Sequence, residues 1–448
     1  MVAAFSGEAL VRRMLAFEAA LGHAEARAGV IPLDAASAIA AACQVEAFDV
    51  PSLYRDAVTA GTLAIPLVRR LTELVQAEGR NFVHWGATSQ DAIDTALVLQ
   101  VRDGLGLLET GLLAVGAACA SLAARYRRTP MAGRTLLQQA LPMTFGLKAA
   151  RWLSLVTRQA AALRALRGRV LVVQLGGAAG TLASLGASGG EVTRLLAEEL
   201  NLAVPEMPWH TERDRVGELA GQLGVLAGGM GKIATDIVLM AQTEVGEVTE
   251  AAAPGKGGSS TLPQKRNPVD AVEAVASARL AIGLVPVVLG AMLQEHERAA
   301  GAWQAEWAAV PDLFRYAAGA VGRVRSAVAG LEVDADRLQA NVELTDGLIM
   351  AEALSMALAR QLGKEGAHRI VQDVSRRAAA ASGGGGLRRA ALEDERVRAV
   401  LSAEALDGLL EPSGYLGSAD LFIDRALADY DALRHAADAS FGHQTLNT

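Results

Sequence analysis

The stretch Pro254-Gly-Lys-Gly-Gly-Ser-Ser-Thr-Leu-Pro-Gln-Lys-Arg-Asn-Pro268 sets flexible glycines, three hydroxyls, two lysines and an asparagine between two apolar segments. Glycines let such a loop close over a ligand. Ser259, Ser260 and Asn267 offer neutral hydrogen-bond donors, and Lys265 offers a positive charge. That set suits a carboxylate, or the doubly negative species left when a carbon beside a carboxylate loses its proton. Two further loops, Asn81 to Gln90 and Leu175 to Gly190, are also rich in small and polar residues. Within the latter, Gly176-Gly-Ala-Ala-Gly-Thr181 lacks the lysine of a phosphate-binding P-loop and reads as a tight interhelical turn lining a cleft.

Gly258-Ser-Ser-Thr-Leu-Pro-Gln-Lys-Arg-Asn267 resembles the signature GSSxMPxKxN of the fumarase/aspartase superfamily, with leucine where methionine is usual. His84-Trp-Gly-Ala-Thr-Ser-Gln-Asp91 is similar to the HxGxTSxD region of that superfamily, and Arg134-Thr-Leu-Leu-Gln-Gln-Ala-Leu-Pro-Met-Thr-Phe-Gly146 to its RTHxQxAxPxTFG region. The resemblance covers nearly the whole chain. It implies an all-α fold of three helical domains, a homotetramer with the long central helices at its core, active sites shared among three subunits, and no metal or cofactor. It also implies that Ser259 is the base that removes a proton α to a carboxylate, which in the ring-closing direction makes it the proton donor, and that His84 has a catalytic role. Thr88, Ser89, Lys265 and Asn267 fall on carboxylate-binding positions, with Gln138 and Ser260 as further substrate contacts.

The departures from the pattern narrow the chemistry. Leu136 stands where lyases of the adenylosuccinate type carry a histidine, and Val272 stands where the glutamate paired with that histidine is found. Glu273, one position on, points about 100° away around a helix and should not substitute. A lyase that expels an amine or hydroxide needs an acid for the leaving group, typically a factor of about 10² to 10⁴ in rate. A carboxylate needs none, because its conjugate acid has a pKa of about 4. The resemblance therefore implies the lactone-forming branch of the superfamily, in which a small tricarboxylate closes a ring through its own carboxylate during aromatic breakdown. Trp303 and Trp307, where adenylosuccinate lyases hold a phosphate, and the string Trp209 to Arg215 are similar to that branch. Two other readings stay open: a fumarate-releasing lyase of the adenylosuccinate or argininosuccinate type, and a catalytically silent, crystallin-like homotetramer. His210 has no assigned role, and Arg213 and Arg215 read either as anion-binding or as paired with Asp214 or Glu218.

The chain that must position these groups has 448 residues, 51% hydrophobic and 20% charged, with a net charge of −7. It can fill a sizeable core, which excludes disorder and a disulfide mini-fold. No basic block points to nucleic acid. Cys43, Cys119 and seven scattered histidines show no metal-ligand spacing, and a reducing cytoplasm fits the two cysteines. Glu8, Arg12 and Arg13 interrupt the N-terminus where a signal peptide is apolar, and no continuous apolar run reaches about 18 residues, so no membrane partner is expected.

Aromatics make up only 4% of residues while alanine and leucine abound, which favours helices over sheets. Val216, Leu219, Leu223, Leu226, Met230, Ile233, Ile237 and Met240 recur at alternating steps of three and four, a heptad seam expected at the core of an oligomeric bundle. Gly221, Gly224, Gly228, Gly229 and Gly231 on the same segment predict close approach by neighbouring helices. Other helices are expected from Asp91 to Arg127, Pro142 to Arg167, Pro268 to Glu297 and Val310 to Ala329. The expected domains are an N-terminal helical domain (1–95), a central bundle (96–344) carrying the signature loop (254–268), and a C-terminal helical domain (345–448) interrupted by the glycine run Gly383 to Gly386.

Overall fold

The computed structural model describes the backbone of residues 1–380 and 386–444, and side chains within these as far as residue 436. In chain order the elements begin with helices α1 (Gly7–Arg27), α2 (Leu33–Ala42), α3 (Val50–Ala60), α4 (Ala64–Leu74) and α5 (Ser89–Arg125). Strands β1 (Pro130–Thr135) and β2 (Gln138–Thr144) follow, then α6 (Phe145–Val170), α7 (Gly189–Leu200), α8 (Asp214–Met240), the short strand β3 (Val248–Thr249), α9 (Val269–Gly290) and α10 (Ala302–Ala329). The C-terminal part holds β4 (Glu332–Val333), α11 (Ala335–Glu343), α12 (Ala351–Ala380), α13 (Gly386–Glu393), α14 (Glu395–Arg398), α15 (Ala403–Leu409) and α16 (Ala419–Gln444). Gly383 to Gly385 of the glycine run lie outside the described residues, and Gly386 opens α13.

Packing divides the chain into two compact units. The first comprises Met1–Gly111, Gln159–Gly231 and Ala276–Gly322. Its core joins Met14, Phe17 and Leu21 of α1 to Leu67 and Leu71 of α4, Leu99 of α5 and Leu196 of α7. The second comprises Leu112–Arg158, Lys232–Val275 and Arg323–Thr448, and its core centres on Leu354, Leu358 and Val374 of α12 against Leu387 and Ala391 of α13.

The expected heptad seam is there, but its partner differs from the expectation. All eight side chains from Val216 to Met240 are 7% exposed or less within the chain itself, so the seam belongs to the chain's own core. The glycines explain how α9 approaches α8. A Cβ added at Gly217 would lie 2.5 Å from Met292 Sδ, at Gly224 2.6 Å from Val285 Cγ2, and at Gly231 2.9 Å from Ala278 Cβ. Both sets step by seven residues in opposite directions, so one glycine stripe admits an antiparallel neighbour at close range. On α9, Leu280 and Val287 on one side and Ile282 and Leu289 along the edge nearer α8 are about half exposed, and Leu293 just beyond the helix is 83% exposed.

One other expectation needs correction. The segment expected as a helix from Pro142 begins as strand β2, which pairs antiparallel with β1. Between them Leu136 and Leu137 form a two-residue turn with φ of 51° and 65°, the mirror-image turn that suits a twisted hairpin but is normally built from glycine or asparagine. By length and composition, α5, α8 and α9 are also long and apolar enough to cross a membrane, although scattered charges break every continuous run. Half of the most apolar window of α8 and 44% of that of α5 are buried by the protein, against 22% for α9.

Candidate active site

Thr88 and Ser89 stand where α5 begins, held by a carboxylate on the helix's own first turn. Asp91 is fully buried, and its Oδ2 accepts the Thr88 backbone N–H at 3.0 Å, half of a capping box. The same oxygen accepts Gly177 N–H at 3.0 Å, while Oδ1 accepts Gly176 N–H at 2.9 Å and His210 Nε2–H at 2.7 Å. One carboxylate with four donors thus ties the Thr88–Ser89 loop to the glycine loop and to the segment Trp209 to Arg215. The Thr88 and Ser89 side chains are left half-buried at a helix N-terminus, a favourable place for an anion.

His84 lies at the entry to this loop with φ of 57°, a backbone conformation that costs a non-glycine residue energy. It is neither a helix cap nor a packing residue. Its Nδ1 is 2.7 Å from Oε1 of Glu18, a carboxylate 1% exposed, while the imidazole is 15% exposed. Burial works against the charged ring, but the attraction of Glu18, its hydrogen bond and the field of Asp91 outweigh it, so the His84 pKa is raised. Farther along α1, Glu25 is buried with both carboxyl oxygens unbonded among the described residues; burial, then Glu18, pushes its pKa up to about 9.

Arg213 is not an anion-binding group. Its guanidinium is fully buried, chelated by Asp94 at 2.7 and 3.1 Å and by Glu306 at 2.5 and 3.1 Å, and stacked over the Trp209 ring. Desolvating an arginine is tolerated only with such full pairing. Trp303 donates to the same Asp94 at 2.9 Å and meets Trp307 edge-on. Arg215 pairs with Glu206, and Glu218 pairs with Arg169.

The remaining expected residues lie in the second unit. Ser259 Oγ accepts N–H bonds from Thr261 at 3.3 Å and Leu262 at 3.1 Å, so two backbone dipoles favour its alkoxide form and leave its own hydrogen free to donate. Asn267 closes the base of the loop: its N–H and side-chain amide both donate to Gly257 O, at 2.9 and 3.2 Å. Lys256 is consumed by Asp270 at 2.7 Å and Glu250 at 3.2 Å, whereas Lys265 is exposed and has no ion pair among the described residues. A cavity of about 290 Å³ is walled by Glu250, Lys256, Gly258, Lys265 and Asn267; Ser259 and Ser260 are not on its wall, and Ser260 is exposed.

Gln138 opens β2 and is exposed. Its hairpin is anchored by Arg134, which grips the fully buried Glu247 with bonds of 2.6 and 3.0 Å, and by Gln139, which donates to Asn341 O at 2.7 Å. Leu136 at the tip is 97% exposed. Val272 is half exposed, and Glu273 is committed to Arg323 at 2.5 Å. So Thr88, Ser89 and His84 come together in the first unit, and Ser259, Ser260, Lys265 and Asn267 in the second, where Gln138 stands apart on its hairpin. Sequence reasoning missed Glu18 and the pairing of His210 with Asp91.

Comparison with known proteins follows the same lines. A family profile described as "Lyase" matches residues 1–282, and one described as "Adenylosuccinate lyase C-terminus" matches residues 347–426. The 3-carboxy-cis,cis-muconate cycloisomerase of Pseudomonas aeruginosa is 50% identical over 436 residues, covering 97% of this chain and 95% of that protein. The chain belongs to the 3-carboxy-cis,cis-muconate cycloisomerase family of the fumarase/lyase superfamily. The cycloisomerase of the same name from Bradyrhizobium diazoefficiens is 47% identical over 430 residues, 95% of each chain. The crystal structure of 3-carboxy-cis,cis-muconate lactonizing enzyme from Pseudomonas putida superposes with a TM-score of 0.90 at 46% identity, covering 96% of both chains.

Proposed function

We propose that the protein lactonises 3-carboxy-cis,cis-muconate to 4-carboxymuconolactone in protocatechuate catabolism. The observation that carries this reading is Leu136. An exposed aliphatic side chain stands at the hairpin tip where an amine-expelling lyase needs its proton-donating histidine, and neither the hairpin nor the signature loop contains a histidine. Glu273, next to the missing glutamate's place, is already paired with Arg323, and nearby Asp270 with Lys256 and Arg323. A tethered carboxylate attacks as the anion it already is, so fixing one rotamer and stabilising the developing charge do most of the work.

In this reading a substrate carboxylate adds to the conjugated double bond, and Lys265, Asn267, Thr88 and Ser89 hold the resulting aci-carboxylate, with Gln138 and Ser260 as further contacts. Ser259 delivers the proton to carbon, favoured for this by the two N–H groups that stabilise the alkoxide it leaves. His84, whose pKa is raised because Glu18 outweighs the effect of burial, holds a second substrate carboxylate. No metal or cofactor enters any step. The enzyme works as a homotetramer in the cytoplasm with active sites shared among three subunits, the three domains being 1–95, 96–344 and 345–448. The outer side of α9 supports self-association, because half-exposed Leu280 and Val287, one heptad apart, and Leu293 beyond the helix show water apolar surface that a second copy can cover.

The test is a spectrophotometric assay of purified protein. Loss of the muconate absorbance with 3-carboxy-cis,cis-muconate, and no fumarate from adenylosuccinate or argininosuccinate, is the expected pair of results. Fumarate release from either succinate adduct without muconate consumption overturns the reading.

A further inference from the structure

His210 is 3% exposed, and its Nδ1 has no hydrogen-bond partner among the described residues. The rest of the ring is fixed. Asp91 accepts from Nε2, which therefore carries the hydrogen in the neutral ring and leaves the lone pair on Nδ1. A Cβ at Gly176 would lie 2.7 Å from His210 Cε1, so the glycine loop closes against the ring edge. Residue 210 also lines a cavity of about 190 Å³ whose wall includes Thr211, Glu212, His296 and Glu297, the last three exposed to solvent. A buried imidazole, oriented by a carboxylate, left with Nδ1 unpartnered beside Gly176 and belonging to a residue in the wall of a solvent-connected cavity, is equipped to carry protons.

Ring closure needs such a carrier, and here the inference rests on the function proposed above. The substrate brings three carboxylates. When one becomes the lactone ester, a C–O bond forms, the π electrons move to the α-carbon, and that carbon gains a proton. The product retains two carboxylates, so each turnover takes up one proton from solvent. We infer that His210, oriented by Asp91, is the group through which that proton enters the site. Nδ1 takes the proton from water or a buffer acid, the imidazolium passes it on to the conjugate base left after carbon protonation, and the bond to Asp91 keeps the ring in place throughout. Among the described residues, the ionisable groups packed around this segment are Asp91 from α5, Glu212 on its own segment, and His296, Glu297 and Arg298 from the segment after α9, with Arg298 held by Gln90 and the glycine-loop carbonyls; Arg213 is committed to Asp94 and Glu306.

His210→Gln tests this, because the glutamine amide can still donate to Asp91 while nothing replaces Nδ1. In dilute buffer the variant is expected to lose about tenfold or more in kcat on 3-carboxy-cis,cis-muconate with KM nearly unchanged, and added imidazole should restore kcat in proportion to its concentration. A purely structural residue would not respond to imidazole. Wild-type kcat in His210→Gln at every buffer concentration, or a lowered kcat that imidazole leaves unmoved, overturns the assignment. Should that variant not fold, Gly176→Ala displaces the ring and is read by the same imidazole titration. Wild-type protein that leaves the muconate untouched would refute the functional reading itself, whereas active wild type with an indifferent His210→Gln refutes only the proton carrier.

Discussion

Replacing Asp91 by asparagine keeps the shape of the side chain and removes half of its accepting capacity. Four donors converge on the carboxylate: Gly176 N–H and His210 Nε2–H on Oδ1, and Thr88 N–H and Gly177 N–H on Oδ2. An asparagine offers one oxygen and one NH₂, so two of the four donors face another donor whichever way the amide turns. A buried donor left unsatisfied costs about 1–3 kcal/mol, which makes the penalty roughly 2–6 kcal/mol. One escape reduces it. If the NH₂ faces the Oδ1 pair, His210 can move its hydrogen to Nδ1 and accept at Nε2, leaving Gly176 N–H as the new orphan beside an Nδ1 that is unpartnered in either tautomer, at a cost of about 1–3 kcal/mol. Against a typical global stability of about 5–15 kcal/mol, either loss is measurable. Urea unfolding at fixed protein concentration, followed by tryptophan fluorescence, reads it directly, since Trp209 adjoins His210. The expected result is a clear fall in the midpoint with loss of turnover; a midpoint equal to wild type would mean that this carboxylate does not hold the loop, and the reasoning about Thr88, Ser89 and His210 would fail with it.

Ser259→Ala is expected to lower turnover of the muconate by about 10² or more while the circular dichroism and unfolding midpoint stay at wild-type values, and near wild-type turnover contradicts its role. Gly224→Ala gains about 0.5–1 kcal/mol of helix propensity but must push Val285 away, an overpacking cost of about 1–3 kcal/mol, so the midpoint should fall, and Val285→Ala in the same chain should recover much of it. Glu25 has its pKa raised from 4.5 to about 9, chiefly by burial. The folded state therefore binds the proton more tightly than the unfolded chain, so this group's contribution to stability is full below about pH 4.5 and is lost as pH climbs towards about 9. Glu25→Gln should flatten the decline in thermal midpoint across that window, and an unchanged slope would show Glu25 ionised in the folded protein.

How much of this was legible beforehand depended on sequence separation. The α8 seam was readable because its period lies within one helix, and the signature loop because its glycines, hydroxyls and cations are contiguous. What the seam packs against was not readable: nothing local distinguishes a chain's own α9 from another copy, and the glycine stripe made the difference. The β1–β2 hairpin escaped because Leu136 and Leu137 sit at positive φ, where turn chemistry calls for glycine or asparagine, so the apolar run concealed the turn. The acid–base partners escaped for another reason. Glu18 precedes His84 by 66 residues and Asp91 precedes His210 by 119, and only folding brings each carboxylate to its imidazole. Arg213 looked available in sequence because its neighbours Asp214 and Glu218 suggested exposed pairing, while its real partners, Asp94 and Glu306, lie 119 and 93 residues away.

The central claim is that the attacking oxygen belongs to the substrate. Running the reaction in ¹⁸O-labelled water with unlabelled 3-carboxy-cis,cis-muconate and analysing the product by mass spectrometry tests it most directly. The account predicts a lactone whose ring oxygen carries no label and whose mass shows no incorporation from solvent. A product bearing one ¹⁸O as a new hydroxyl group would show that water, not a tethered carboxylate, adds to the double bond.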